Sequence, residues 1–297
     1  MAIFRKGKKI SGQLHEGKKI KQIYHIGKKY LAEWLSSAAI AVIKAAFGAE
    51  EGKAVIRKTD DYLNQIAITD PQRAQQLTMF INEDPMLVCS LVETSKTRWL
   101  VGDGVAWIDT GYVPVGDNLE FYTKFRLLES GQYAKGIFGK GDYLHQIPNA
   151  IYITTWFQSA YPNIVMTGWD GKHGGWVGDT TGTNYEYIWE VFISFSKTKG
   201  ILNVLRDGVN YENKDVTGEY NKPVNFQDDG IPLYLFKGNN FGACKCAISE
   251  HYTKDKIHHI PHLRPNGECG MLDIISCTFY PNANTSGAFT IQLTDKI

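Results

Sequence analysis

From Met86 to Ile297 the chain repeats one pattern: a short run in which apolar and polar residues alternate, then a cluster of Gly, Asn, Asp or Pro, then another run. The runs are "LEFYTKFRLL", "AIYITTWFQ", "NIVMTGW", "YIWEVFISFS", "GILNVLRDG", "PLYLFKG", "CKCAISEHY", "GMLDIISCTFY" and "GAFTIQL". A period of two suits a strand with one buried and one exposed face, and turn clusters between such strands join them antiparallel. Roughly 200 residues ordered this way predict a mainly β fold, an antiparallel two-sheet sandwich. The 12% of aromatic residues and the 29 glycines fit strands joined by tight turns.

Two zones precede it. In residues 1–33 the triplet Gly-Lys-Lys recurs at Gly7, Gly17 and Gly27, a ten-residue interval that places the lysines on the turns of a small β-meander. Its strands, carrying Ile10, Ile20, Ile23, Tyr24 and Tyr30, are too short for a core of their own and are expected to pack on another surface or subunit. Residues 34–85 read as a helical collar. One helix starts at Ser36 or Ser37 and stops at Gly48; another starts at Asp70-Pro71 and runs through Phe80 with Leu77, Phe80 and Ile81 on its apolar face. Trp34, Ile40, Ile43 and Phe47 complete the residues expected to serve attachment or oligomer contacts.

Charge narrows the function. With 32 basic and 31 acidic residues the net charge is +1, so the chain has no overall bias toward nucleic acid. The longest apolar run, "WLSSAAIAVIKAAFG", is too short for a membrane span and contains Lys44. No secretory signal is read at Met1. Cys89, Cys244, Cys246, Cys269 and Cys277 are read as free thiols, consistent with synthesis in a reducing cytoplasm.

Catalytic constellations are sparse. Glu186 and Glu190 share a strand face, but four residues of strand separate them by about 13 Å, too far for a retaining carboxylate pair; paired solvated carboxylates are the better reading. Cys244 and Cys246 with His258, His259 and His262 suggest zinc, but adjacent His258 and His259 point to opposite faces of a strand, so no metal is expected. The stretch "GWDGKHGGWVGDTTGTNYEY" holds Trp169, Trp176, Tyr185 and Tyr187 beside Asp170, His173, Asp179 and Asn184, flat apolar faces and short polar groups of the kind a sugar site uses, though Trp and Tyr near loops also cap cores. No cofactor is expected; calcium held by Asp170 or Asp179 with loop carbonyls is the lesser reading.

"VAWIDTGYVPVGDNLEFYTKFRL" from Val105 resembles the opening "YIDTGY-x-P" segment of concanavalin A-like, laminin-G-like jelly rolls of bacteriophage tail and fibre proteins and of surface proteins of gut bacteria. The C-terminal Ile260-Pro261, Gly270-Met271-Leu272-Asp273, Phe279-Tyr280 with Asn282, and Ser286-Gly287 with Phe289 resemble that family's closing element, with Met271 inserted and Pro281 added. The bottom-up reasons for these residues are structural: Asp109-Thr110-Gly111 suits a turn, and Asp273 braces another. The resemblance implies a jelly-roll domain over 86–297 and a non-enzymatic virion protein, tail-associated or fibre. Such a protein is synthesised in the host cytoplasm, is oligomeric, and meets other virion proteins or a host surface glycan. A bacterial surface glycan-binding protein is the alternative reading and a polysaccharide-degrading enzyme the third.

Overall fold

Ser36, Gly48, Asp70 and Asp84 punctuate the chain after its N-terminal repeats, and each marks a helix end. The computed structural model describes residues 34–129, 135–140, 151–158, 161–169, 172–177, 187–196, 199–215, 226–238 and 242–296, with four two-residue strands nearer the N-terminus. Those strands are β1 (Phe4–Arg5), β2 (Lys8–Lys9), β3 (Leu14–His15) and β4 (Lys18–Lys19). They pair as two hairpins ten residues apart, in phase with the repeat. Lys8, Lys9, Lys18 and Lys19 are strand residues, where the repeat had placed the lysines on turns; Lys28 and Lys29 lie outside the described residues.

The chain divides into two compact units, Met1–Lys96 and Thr97–Ile297. The first holds α1 (Ser37–Phe47), α2 (Ala49–Thr69) and α3 (Pro71–Glu83), followed by short helical turns over 85–91. Ser36 caps α1 through a bond from Ala39 N, Gly48 closes it at φ 78°, and Asp70 caps α3 by accepting from Arg73 N at 2.9 Å with Pro71 in the first turn. Leu77 and Ile81 are fully buried, with Phe80 half-buried beside them. The longest helix, α2, was not anticipated. Its buried line of Gly52, Val55, Thr59 and Leu63 has only two large apolar residues. Gly52 lets α1 approach so closely that a Cβ there would lie 2.9 Å from Lys44 Cα, and Thr59 satisfies its hydroxyl on Val55 O at 2.9 Å. No helix among the described residues is long and apolar enough to cross a membrane. Replacing Asp70 by alanine is expected to lower the stability of this unit by about 1 kcal/mol, read as an earlier loss of helical dichroism in denaturant.

The second unit is built from β5 (Lys96–Gly102), β6 (Ile108–Asp109), β7 (Leu119–Leu127), β8 (Lys135–Lys140), β9 (Ile151–Gln158), β10 (Tyr161–Trp169), β11 (Lys172–Val177), β12 (Trp189–Ser196), β13 (Lys199–Arg206), β14 (Val209–Asp215), β15 (Tyr234–Leu235), β16 (Gly242–Ala243), β17 (Cys246–Thr253), β18 (Ile257–Leu263), β19 (Cys269–Asp273), β20 (Thr278–Tyr280) and β21 (Phe289–Asp295). The larger sheet runs β14-β13-β12-β7-β17-β18-β19-β20, with β5 pairing β17 and β21; the smaller runs β11-β10-β9-β8-β15-β6. The pairings along both of these strand orders are antiparallel, as is β5 with β17, and the short β16–β8 contact is parallel. Between the sheets lies one apolar core, where Phe121, Phe125, Trp189, Val191 and Leu202 of the larger sheet meet Ile137, Phe138, Ile151 and Ile153 of the smaller. The larger unit is an antiparallel sandwich of jelly-roll type.

The motif residues do structural work here. Asp109 accepts from Gly111 N at 2.9 Å, and Gly111 takes φ 62°. "GMLDIISCTFY" is not one strand, because Asp273 captures the N–H groups of Ile275 and Ser276 and turns the chain between β19 and β20. Asn282 and Asn284 tie the last loop back to Trp107 N and Val105 O.

Candidate functional site

Alternation along β7 sends Phe121, Thr123, Phe125 and Leu127 into the core and Glu120, Tyr122, Lys124 and Arg126 to the sheet's other face. On that outer face the register aligns Phe192 of β12, Tyr122 of β7, Tyr252 of β17 and His258 of β18 in one row across four strands. The Tyr122 and Tyr252 rings stack with centroids 4.9 Å apart, Tyr122 and Phe192 lie at 4.6 Å, and His258 meets Tyr252 edge-on at 5.6 Å. Tyr122 is buried at the centre, while Phe192, Tyr252 and His258 are half-buried.

Charge borders the row on both sides. Lys124 stands in register between Glu190 and Glu250. Glu190 accepts the Tyr122 hydroxyl at 2.7 Å and the Lys124 ammonium at 3.3 Å, and Glu250 pairs with His258 Nε2 at 2.8 Å. On the opposite side Lys254 pairs with Glu120 at 2.9 Å. Burial and the neighbouring Glu190 raise the Tyr122 phenol far above its ordinary value, so it stays a hydrogen-bond donor. Burial with Glu250 and Glu120 nearby raises Tyr252 too. An aromatic strip edged by carboxylates and ammonium groups can accept the apolar face of a flat ring and bond its polar rim.

Of this row the sequence singled out only His258, as a metal candidate and not with the sugar-site residues. Of those, Trp169 ends β10, and His173 and Trp176 belong to β11, where Gly168 opposes His173 and Met166 opposes Trp176. They therefore sit on one hairpin at the edge of the smaller sheet. Asp170, Asp179, Asn184 and Tyr185 lie outside the described residues, and with them the calcium ligands. Tyr187 is half-buried, with the Arg206 guanidinium 4.5 Å above its ring and Trp189 edge-on at 6.1 Å. Arg206 also covers Tyr211 at 4.7 Å, which makes this group a packed cap over Trp189. Ile10, Ile20, Ile23, Tyr24 and Tyr30 lie outside the described residues. Trp34 donates its indole N–H to Asn64 at 3.0 Å, Ile43 is fully buried within the helical unit, and Ile40 and Phe47 are half-buried.

Glu190 is not the solvated carboxylate expected from its spacing to Glu186, which is itself outside the described residues; its two bonds draw it against the sheet. None of the five cysteines is in a disulfide. His258 and His259 do face opposite sides of β18, half-buried and buried respectively, and among the described residues no three His, Cys, Asp or Glu side chains gather as a metal site.

No protein-family model matches the chain, and no curated protein does. Among solved structures, several are similar to part of the chain at low identity. A Bacteroides ovatus protein, named only as a candidate carbohydrate-binding protein, is 10% identical with a TM-score of 0.43, the match covering 67% of this chain and 60% of that one. The heptameric SAP-like pentraxin of Limulus polyphemus is 8% identical with a TM-score of 0.38 over 55% of this chain and 77% of its own. Tailspike protein 2 of the Escherichia coli O157:H7 bacteriophage CAB120 is 12% identical with a TM-score of 0.39 over 50% of this chain, and the match spans only 21% of the tailspike. No residue role is taken from them.

Proposed function

We propose that this chain is a non-enzymatic structural protein of a phage particle, tail-associated or fibre, which attaches by its N-terminal part and presents the jelly-roll unit to a host surface glycan. The observation that carries the glycan contact is the outer row Phe192–Tyr122–Tyr252–His258 with its charged borders. Sugar rings have apolar C–H faces and hydroxylated rims, and this strip has matching parts. Glu190 and Glu250 do not act as an acid and nucleophile here, since Lys124 stands between them and each carboxylate already holds a partner. The virion reading draws on the motifs at both ends of the domain and on five cysteines outside any disulfide, which suit assembly in a cytoplasm. Several copies per particle follow from virion symmetry.

A glycan array probed with the full chain at neutral pH, followed by calorimetry on the best ligand, tests this. Tyr252→Ala is expected to weaken binding at least tenfold while moving the unfolding midpoint little, because Tyr252 is half-buried at the strip's surface. Unchanged affinity in that variant would move the contact elsewhere, and Trp176→Ala on the β10–β11 hairpin is the next variant to measure. An array with no ligand at all would leave protein contact as the domain's role, and turnover of any polysaccharide would revive the enzyme.

A further inference from the structure

Behind the aromatic row, on the core side of the same strands, the register aligns a second row: Val191, Thr123, His251, His259 and Asp273. Both imidazoles are fully buried and their rings stack with centroids 6.1 Å apart. Thr123 Oγ1 shares a 2.7 Å hydrogen bond with His251 Nδ1. Nε2 of His251 and both ring nitrogens of His259 meet no protein hydrogen-bond partner. Phe138 of the facing sheet packs on His251 at 5.0 Å, and Tyr280 meets His259 edge-on at 5.1 Å. Two imidazoles, one hydroxyl and a carboxylate engaged elsewhere fall short of a metal set.

The charges around this pair are few. On β19 Asp273 is the neighbouring carboxylate, but its oxygens already accept from His258 N, Ile275 N, Ser276 N and Ser276 Oγ. On β20 the ionisable neighbour is the Tyr280 phenol. On the outer face of β17 and β18 stand Glu250 and His258, paired to each other. On β8 of the facing sheet the cation is Lys140, ion-paired to Asp229 at 2.7 Å. On β7 Lys124 faces outward to Glu190. A proton on His251 or His259 would therefore sit in the core beside another imidazole, and the one carboxylate in the row, Asp273 beside His259, favours that proton but is already bonded to four donors.

We propose that Thr123, His251 and His259 form an acid-operated switch for the display face: charging the buried imidazoles loosens β7, β17 and β18 and dismantles the aromatic row those strands carry outside. The connection is strand alternation, since Tyr122, Tyr252 and His258 are the chain neighbours of Thr123, His251 and His259. Only the effect on ligand rests on the glycan reading; the effect on the fold stands apart from it.

The sign follows from burial. It lowers His251 well below the ordinary imidazole value, with His259 and His258 adding to the effect, and against the upward pull of Asp273 it lowers His259 from 6.5 to about 4. The unfolded chain then binds more protons than the folded one below 6.5, so stability falls as pH drops through 6.5, and the His259 contribution levels off below about 4.

The experiment is guanidinium unfolding of the full chain by tryptophan fluorescence from pH 8 to 4.5, with His259→Phe separating the imidazole contribution from that of carboxylates, which begin to titrate below about 5.5. The same samples give near-ultraviolet dichroism as a report on the tyrosine row. The folding constant is expected to fall at least fiftyfold across that range, and His259→Phe to remove a large part of the slope. A flat wild-type profile overturns the switch, and so does an unchanged slope in the variant. Should the variant fail to fold, imidazole NMR of the wild type decides: both rings are expected to stay neutral at pH 5.5, and titration of either near 6.5 in the folded protein overturns it. Glycan binding that is present at neutral pH and lost at pH 4.5 supports the coupling, and binding retained at pH 4.5 after the fold has loosened overturns it. Absence of binding at every pH refutes the glycan reading, while the unfolding profile still decides the switch.

Discussion

Asp273→Ala is expected to destabilise the sandwich by about 3 to 5 kcal/mol, as a large shift of the guanidinium midpoint of the full chain with little change in slope. The side chain is 1% exposed and accepts four hydrogen bonds, from His258 N at 2.8 Å, Ile275 N at 3.1 Å, Ser276 N at 3.2 Å and Ser276 Oγ at 2.6 Å. Hydrogen bonds to a charged acceptor contribute more than neutral ones, and three of the donors are backbone groups with no side chain to swing toward water. Alanine would orphan them inside the turn that joins β19 to β20. Asp273→Asn is expected to fall between, since it keeps one acceptor oxygen but turns an amide toward the Ser276 donors. A loss below about 1 kcal/mol in Asp273→Ala would mean that solvent replaces the carboxylate and that the turn is not braced by it.

Local signals made the turn of Asp273 legible: an Asp followed two and three residues later by chain that must reverse. The same holds for Asp70-Pro71 at the start of α3 and for Asp109 before Gly111, where one side chain and the next few backbone groups complete the interaction. The aromatic row depends on information of another kind. Tyr122, Phe192 and Tyr252 lie 70 and 60 residues apart in the chain and meet only through the pairing of β12, β7 and β17. Moreover, a bulge at Ser249 shifts the register between Ile248 and Glu250, so that Ile248 and His251 both face inward and Glu250 and Tyr252 outward. Strict alternation read along "CKCAISEHY" puts Ile248 and Glu250 on one side and loses the row. The buried His251 was hidden for the same reason, and α2 because glycine and threonine replace apolar residues on half of its buried line.

Gly287→Ala is expected to cost about 3 kcal/mol or more, although its φ does not lie in the left-handed region that favours glycine. A Cβ at 287 would lie 2.3 Å from Ala106 N, 2.7 Å from Val105 C and 2.8 Å from Ala106 Cα, all backbone atoms that cannot rotate away. The segment it would push is held on every side. Asp103 Oδ1 accepts from Val105 N and Ala106 N at 2.8 Å each, Asp103 Oδ2 accepts from Ala288 N at 2.6 Å, and Asn282 Nδ2 donates to Gly287 O at 2.8 Å. Against the upward push of partial burial, the N–H groups of Ala106, Val105 and Ala288 hold the Asp103 carboxyl below its ordinary value. Moving the strand entry by the half ångström or more that a methyl group demands would therefore break several charge-assisted bonds at once. Gly208→Ala is the control: at φ 76° in the turn between β13 and β14, with nothing within 4 Å of a Cβ, it carries only the conformational penalty of about 1 kcal/mol. Equal losses in the two variants, measured by the same denaturant titration, would mean that the junction of Val105 and Gly287 gives way easily, and that the domain's first and last strands are not locked together at this point.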